Sequence, residues 1–136
     1  MKLVVLAFLA ICFISLSAFA TEHCGGPYYD AAGVEGQAGK LMAEGGQHYV
    51  TAYTEIENEN PDMNVVCHAL DGAAEKFEAT IPLYTKCFNL YKRAEEVCEE
   101  QYRHLAVEGM NRCDKAGSES PQLVATMNQL FAQYCN

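Results

Sequence analysis

The chain has 136 residues, half of them hydrophobic, and carries 18 acidic against 9 basic side chains for a net charge of −9. A surface this acidic repels nucleic-acid phosphates and anionic lipid headgroups, so charge-driven binding to either is excluded. The length suits a single domain with a modest core, and seven cysteines make redox state the first question.

Met1 and Lys2 supply a positive start, Leu3 to Ile14 is almost unbroken apolar sequence, and Ala18-Phe19-Ala20 follows with small residues at the outer positions. This pattern predicts a signal peptide over residues 1–20, cleaved after Ala20, and a secreted chain of residues 21–136. No later stretch is apolar enough to span a bilayer, so the protein is not expected to be membrane-embedded. Cleavage would remove Lys2 and Cys12, leaving 8 basic against 18 acidic residues, a net charge of −10. Six cysteines remain, Cys24, Cys67, Cys87, Cys98, Cys113 and Cys135. An even count in an oxidising compartment predicts three disulfides rather than a metal site or free thiols. No Asn-x-Ser/Thr sequon occurs, so no N-linked glycan is expected.

The first helical segment runs from about residue 30 to 57. Val34, Ala38, Leu41, Gly45, Tyr49, Ala52 and Ile56 recur at steps of three and four, the mark of one helical face. Gly33, Gly36, Gly39, Gly45 and Gly46 each cost about 1 kcal/mol against alanine. They predict a break at Gly45-Gly46 or close backbone packing. Gly33-x-x-Gly36-x-x-Gly39 lacks the Lys-Ser/Thr ending and the preceding strand of a phosphate loop, and reads as packing.

Asn60-Pro61-Asp62 combines a cap, a first-turn proline and an acid, and predicts a second start. Met63, Val66, Leu70, Ala73, Phe77 and Ile81 form its stripe, which Pro82 is expected to stop or kink. The third segment, 83 to about 115, carries Leu83, Cys87, Leu90, Ala94, Val97, Gln101 and Leu105. Tyr84, Phe88 and Tyr91 widen that stripe. Glu99 with Arg103 and Glu108 with Arg112 are spaced for weak ion pairs, and Gly109 is a point for a bend. Ser120-Pro121 repeats the cap-and-proline signal, and Leu123, Val124, Met127, Leu130, Phe131 and Tyr134 make a last helix. Alternating patterns are nearly absent. The expected fold is all-α, an antiparallel bundle of four to five helices stapled by three disulfides.

Were the third segment one unbroken helix, Cys87 and Cys98 would share a face but lie about 16 Å apart along it. That is too far for a bridge, whose Cα atoms need to lie within about 7 Å. Cys87, Cys98 and Cys113 would then each reach one of Cys24, Cys67 and Cys135. Axial levels favour Cys24–Cys87, Cys67–Cys98 and Cys113–Cys135. A rival set joins Cys98 to Cys135 and Cys67 to Cys113, again with Cys24–Cys87.

Chemistry is hard to find. There is no C-x-x-C and no H-x-x-x-H, so no metal or cofactor is expected. His23 and His68 adjoin cysteines committed to disulfides, and His48 and His104 read as surface residues. Ser118 and Ser120 read as caps, and no G-x-S-x-G occurs. Glu95, Glu96, Glu99 and Glu100, among Lys92, Arg93 and Arg103, read as a solvated face. The expectation is a non-enzymatic binding protein. A carrier would line an apolar cavity with Phe77, Tyr84, Phe88, Tyr91, Met127 and Phe131 around a small hydrophobic ligand or lipid. The alternative is a secreted effector that contacts another protein through its surface, with Tyr28, Tyr29 and Tyr53 as anchors.

Overall fold

The computed structural model describes residues 23–135; the signal-peptide segment 1–20 and Cys12 lie outside them. Among the described residues the fold is all-helical, with α1 (Lys2–Ile56, described from residue 23), α2 (Met63–Val97), a 3-10 turn (Glu100–Tyr102) and α3 (Arg103–Tyr134). There are three long helices, not four or five, and the difference lies in where the chain turns.

Pro82 and Pro121 were expected to separate helices, yet both lie inside them. Both prolines are exposed, so water can serve the carbonyl that a missing N–H leaves open. Thr80 and Ser120, each one or two residues before a proline, are fully buried. The Thr80 and Ser120 hydroxyls lie 2.8 Å apart, and Ser120 also donates to the Ala116 carbonyl. Ser120 is therefore a helix-to-helix contact rather than a cap.

The turn that the sequence hides is at Cys98 and Glu99, both in extended backbone conformation (ψ 141° and 140°). No glycine or proline marks it. Its anchors come from α1: the Glu99 N–H donates to the His23 carbonyl at 3.2 Å, and Tyr102 stacks on the His23 ring at 3.9 Å. With the third segment split here, the helical stripe fails as it should, and Val97 and Gln101 are exposed.

At the other turn, Asp62 rather than Asn60 caps α2, accepting from the Asn64 and Val65 N–H groups. Glu55 holds the loop by accepting from the Asp62 N–H at 2.8 Å and the Asn58 side-chain amide at 3.0 Å. Near the start of the described chain, Gly25 adopts φ 68°, a left-handed conformation that interrupts α1. The helix then restarts with Pro27 in its first turn.

The split also rewrites the disulfides. They join Cys24 to Cys98, Cys67 to Cys135 and Cys87 to Cys113. Both sets expected from an unbroken helix are corrected, including the Cys24–Cys87 pair they shared. Residues 87 and 113 now lie on separate antiparallel helices, with Cα atoms 6.2 Å apart. Cys67 with Cys135, Thr80 with Ser120, Cys87 with Cys113 and Tyr91 with Gly109 step down α2 as they step up α3. On the other side, Cys24 with Cys98, Gly45 with Phe77 and His48 with Gly72 do the same for α1 and α2. The central helix is thus α2. The α1 and α3 helices pack along its two sides and meet each other only sparsely.

Glycine packing follows this plan in part. A Cβ on Gly45 would sit 2.6 Å from the Phe77 ring, and one on Gly109 2.6 Å from the Tyr91 ring, so both positions admit a ring where no side chain fits. Gly109 packs rather than bends. Gly33, Gly36 and Gly39, read as packing from sequence, instead face open space.

Candidate functional site

The six residues expected to line one apolar cavity divide between two packed clusters, which share Met42 at their border. Tyr84 and Tyr91 are buried with Cys87, Ala94, Leu105 and Ala106, with Phe88 half-buried against them. Phe77 and Met127 are buried with Ala52, Val66, Leu70 and Ala73, with Phe131 half-buried beside them. The ring of Phe77 closes on Gly45 and that of Tyr91 on Gly109, so these two aromatics fill space against backbone.

Tyr91 belongs to a polar knot that joins all three helices. Its hydroxyl donates to Glu35 of α1 at 2.5 Å. The same carboxylate receives Arg112 of α3 through two hydrogen bonds of 2.7 and 3.1 Å. The guanidinium lies 5.8 Å from the Tyr91 ring centre, and Tyr28 meets that ring edge-on at 5.1 Å. Arg112, spaced on its own helix to pair with Glu108, reaches across the bundle to Glu35. Burial and then Glu35 push the Tyr91 hydroxyl far above its ordinary value, and burial raises Tyr28 and Tyr84. Hydrogen bonding to Glu35 holds Arg112 more firmly charged. The two carboxylate oxygens, the phenol and the guanidinium satisfy one another, which suits a structural clasp.

Between α1 and α2 a depression of about 320 Å3 is lined by Glu44, Gln47, His48, Thr51 and Lys76. All five of these side chains carry a polar or charged group. Lys76 bonds Glu44 at 2.9 Å, which lowers the carboxyl and raises the ammonium. At the Cys24–Cys98 end, His23 contacts Glu99 at 3.3 Å. Among the described residues no three His, Cys, Asp or Glu side chains converge as a metal site, and none of their helices is long and apolar enough to cross a membrane.

The surface is more informative. Of the three tyrosines expected as exposed anchors, Tyr28 is buried, while Tyr29 is 67 % and Tyr53 51 % exposed. Tyr53 has two companions on the surface: Tyr49, which the stripe placed in the core, is 37 % exposed, and Val50 is 61 % exposed. Tyr49 and Tyr53 sit one helical turn apart with ring centres 6.2 Å apart. The stripe placed Tyr49 inward, but α1 is covered on one side only, so residues at the edge of its buried face stay open. Residues 57–62, which follow this patch, are exposed throughout.

Charge is segregated along the bundle. No lysine or arginine occurs from Leu41 to Glu75 or from Ala116 to Asn136. Antiparallel packing and the Cys67–Cys135 bridge bring these base-free stretches to one end, where Ala52, Val66, Leu70 and Met127 share a core. Glu55, Glu57, Glu59, Asp62 and Asp71 lie in them. The Tyr49–Val50–Tyr53 patch sits at this acidic end.

No protein-family model matches the chain, and no curated protein or solved structure is detectably similar to it. Function therefore rests on the geometry alone.

Proposed function

We propose that this chain is a secreted, non-enzymatic scaffold that acts by surface contact with another protein, through the end that carries Tyr49, Val50 and Tyr53. Disulfides between the helices suit an oxidising, extracellular setting. The observation that carries the reading is the exposure of two tyrosines and a valine side by side on a rigid helix. Tyrosine supplies a large contact area at low entropic cost, and such anchors recur at the centres of protein interfaces. A carrier would instead gather its aromatics around one cavity, whereas here they divide between two packed clusters.

Two measurements decide between these readings. A fluorescent fatty acid titrated into purified protein is expected to show no saturable uptake, and native mass spectrometry no co-purified ligand. Wild type and a Tyr49→Ser/Val50→Ser/Tyr53→Ser variant of equal helicity would then be presented to extracellular fluid from the source tissue. A protein retained by wild type and lost by the variant supports the proposal. Stoichiometric uptake of the fatty acid, or retention indifferent to the three substitutions, refutes it.

A further inference from the structure

The same patch says what kind of partner it fits, and this step rests on the surface reading above. We infer that Tyr49, Val50 and Tyr53, with the exposed acids of the following turn, form a docking surface for a protein segment that presents arginine side chains.

The first argument is charge complementarity. The patch lies at the base-free end of the bundle, where neither α1 from Leu41 onward, the turn, the start of α2 nor the end of α3 contributes a lysine or arginine. At the border of these stretches Glu44 meets Lys76, and further from them Glu35 meets Arg112. In the turn, Glu55 and Asp62 are engaged in shaping the backbone. Glu57 and Glu59 are exposed. The Glu57 carboxylate stands close enough to Tyr53 to hold that phenol above its ordinary value, by hydrogen bonding first and charge second. A chain of net charge −9 also steers cationic partners inward at long range.

The second argument is shape. Tyr53 and Tyr49 offer ring faces inclined at 41° to one another, with Val50 beside them. A guanidinium is flat, stacks on a phenol face and bonds a carboxylate through two parallel N–H groups. Placed on Tyr53, it would have Glu57 within reach, and its three-carbon stem would lie over Val50. An ammonium has the charge but neither the plane nor the fork, so arginine is preferred to lysine.

The test is an NMR titration of the isotopically labelled protein with three eight-residue probes alternating glycine with arginine, lysine or glutamate. Salt is kept at about 0.15 M so that exposed charges more than about 8 Å apart are largely screened. The arginine probe is expected to give saturable shifts confined to residues 49–62, to bind more tightly than the lysine probe, and to leave the glutamate probe inert. Tyr49→Ser/Tyr53→Ser should weaken it by roughly two- to fivefold per ring, and Glu57→Gln/Glu59→Gln should weaken it as well. Glu95→Gln/Glu96→Gln, at the far end of α2, should not. Shifts spread over both ends of the bundle, equal binding of the two cationic probes, or indifference to the tyrosines would overturn the inference. Should the tyrosine variant lose its protein partner while the arginine probe fails to bind, the surface reading stands and the cationic partner falls.

Discussion

Two identical substitutions, Gly→Ala at positions 109 and 36, should move stability in opposite directions. Both sites are helical, so each gains about 1 kcal/mol from the better propensity of alanine and the narrower unfolded ensemble. At Gly36 the new methyl group meets nothing within 4 Å. At Gly109 it would lie 2.6 to 2.7 Å from three atoms of the Tyr91 ring. Carbon atoms in contact prefer 3.5 to 4.0 Å, so the ring must retreat by about 1 Å. It has little freedom to do so, because Tyr91 is fully buried and its hydroxyl is tied to Glu35. Overpacking of this kind costs about 1–3 kcal/mol. The propensity gain cancels when the variants are compared, so their difference isolates the clash at about 2 kcal/mol. Guanidinium unfolding followed by circular dichroism, with disulfides intact, reads this as Gly36→Ala above wild type and Gly109→Ala below it. Equal shifts of the same sign would refute the close approach of α3 to α2.

Further tests bear on the clasp and the bridges. Glu35→Gln keeps the shape but leaves the half-buried Arg112 without its counter-charge, and should cost about 1–2 kcal/mol by the same denaturation assay, the value being reduced for partial exposure. An unchanged midpoint would show that the clasp contributes nothing. Tyr28, Tyr84 and Tyr91 hold their protons beyond the ordinary value near 10, so the unfolded chain ionises first as pH rises. Stability should be level below about pH 10 and fall above it, by up to about 1.4 kcal/mol per pH unit for each such group. Tyrosinate absorbance should show these three ionising only as the helices unfold; their ionisation in the folded protein would contradict their burial. Replacing Cys87 and Cys113 by alanine opens a 26-residue separation and should cost about 3.5 kcal/mol, against about 4.5 kcal/mol for the 74-residue separation of Cys24 and Cys98. Thermal unfolding under non-reducing conditions would rank them, and the reverse order would count against the chain-entropy account.

The helical class and most core positions were legible in the sequence because they rest on periodicity. Val66, Leu70, Ala73 and Phe77 are buried as their spacing predicts. The turn at Cys98 and Glu99 was not, because it is made by His23 and Cys24 from a distant part of the chain. One local sign existed: Glu99 and Glu100 suit a helix start and oppose a helix end, by the dipole. The prolines misled in the opposite sense, since their cost depends on whether they face water, which spacing alone does not reveal. Disulfide pairing inherited the error, since it assumed one helix where there are two. At the surface, Tyr53 could be read as an anchor, but Tyr49 could not until α1 was seen to be covered on one side. The segregation of charge was present in the sequence, yet only the antiparallel register brings its two base-free stretches to one end.

Everything proposed for that end depends on the register in which α1 lies along α2. Mass spectrometry of a non-reducing digest measures it directly. The fold requires Cys24 linked to Cys98, Cys67 to Cys135 and Cys87 to Cys113. A peptide joining Cys24 to Cys87 would slide α1 by about 16 Å along α2, and the tyrosine patch would no longer sit where the acidic end presents it.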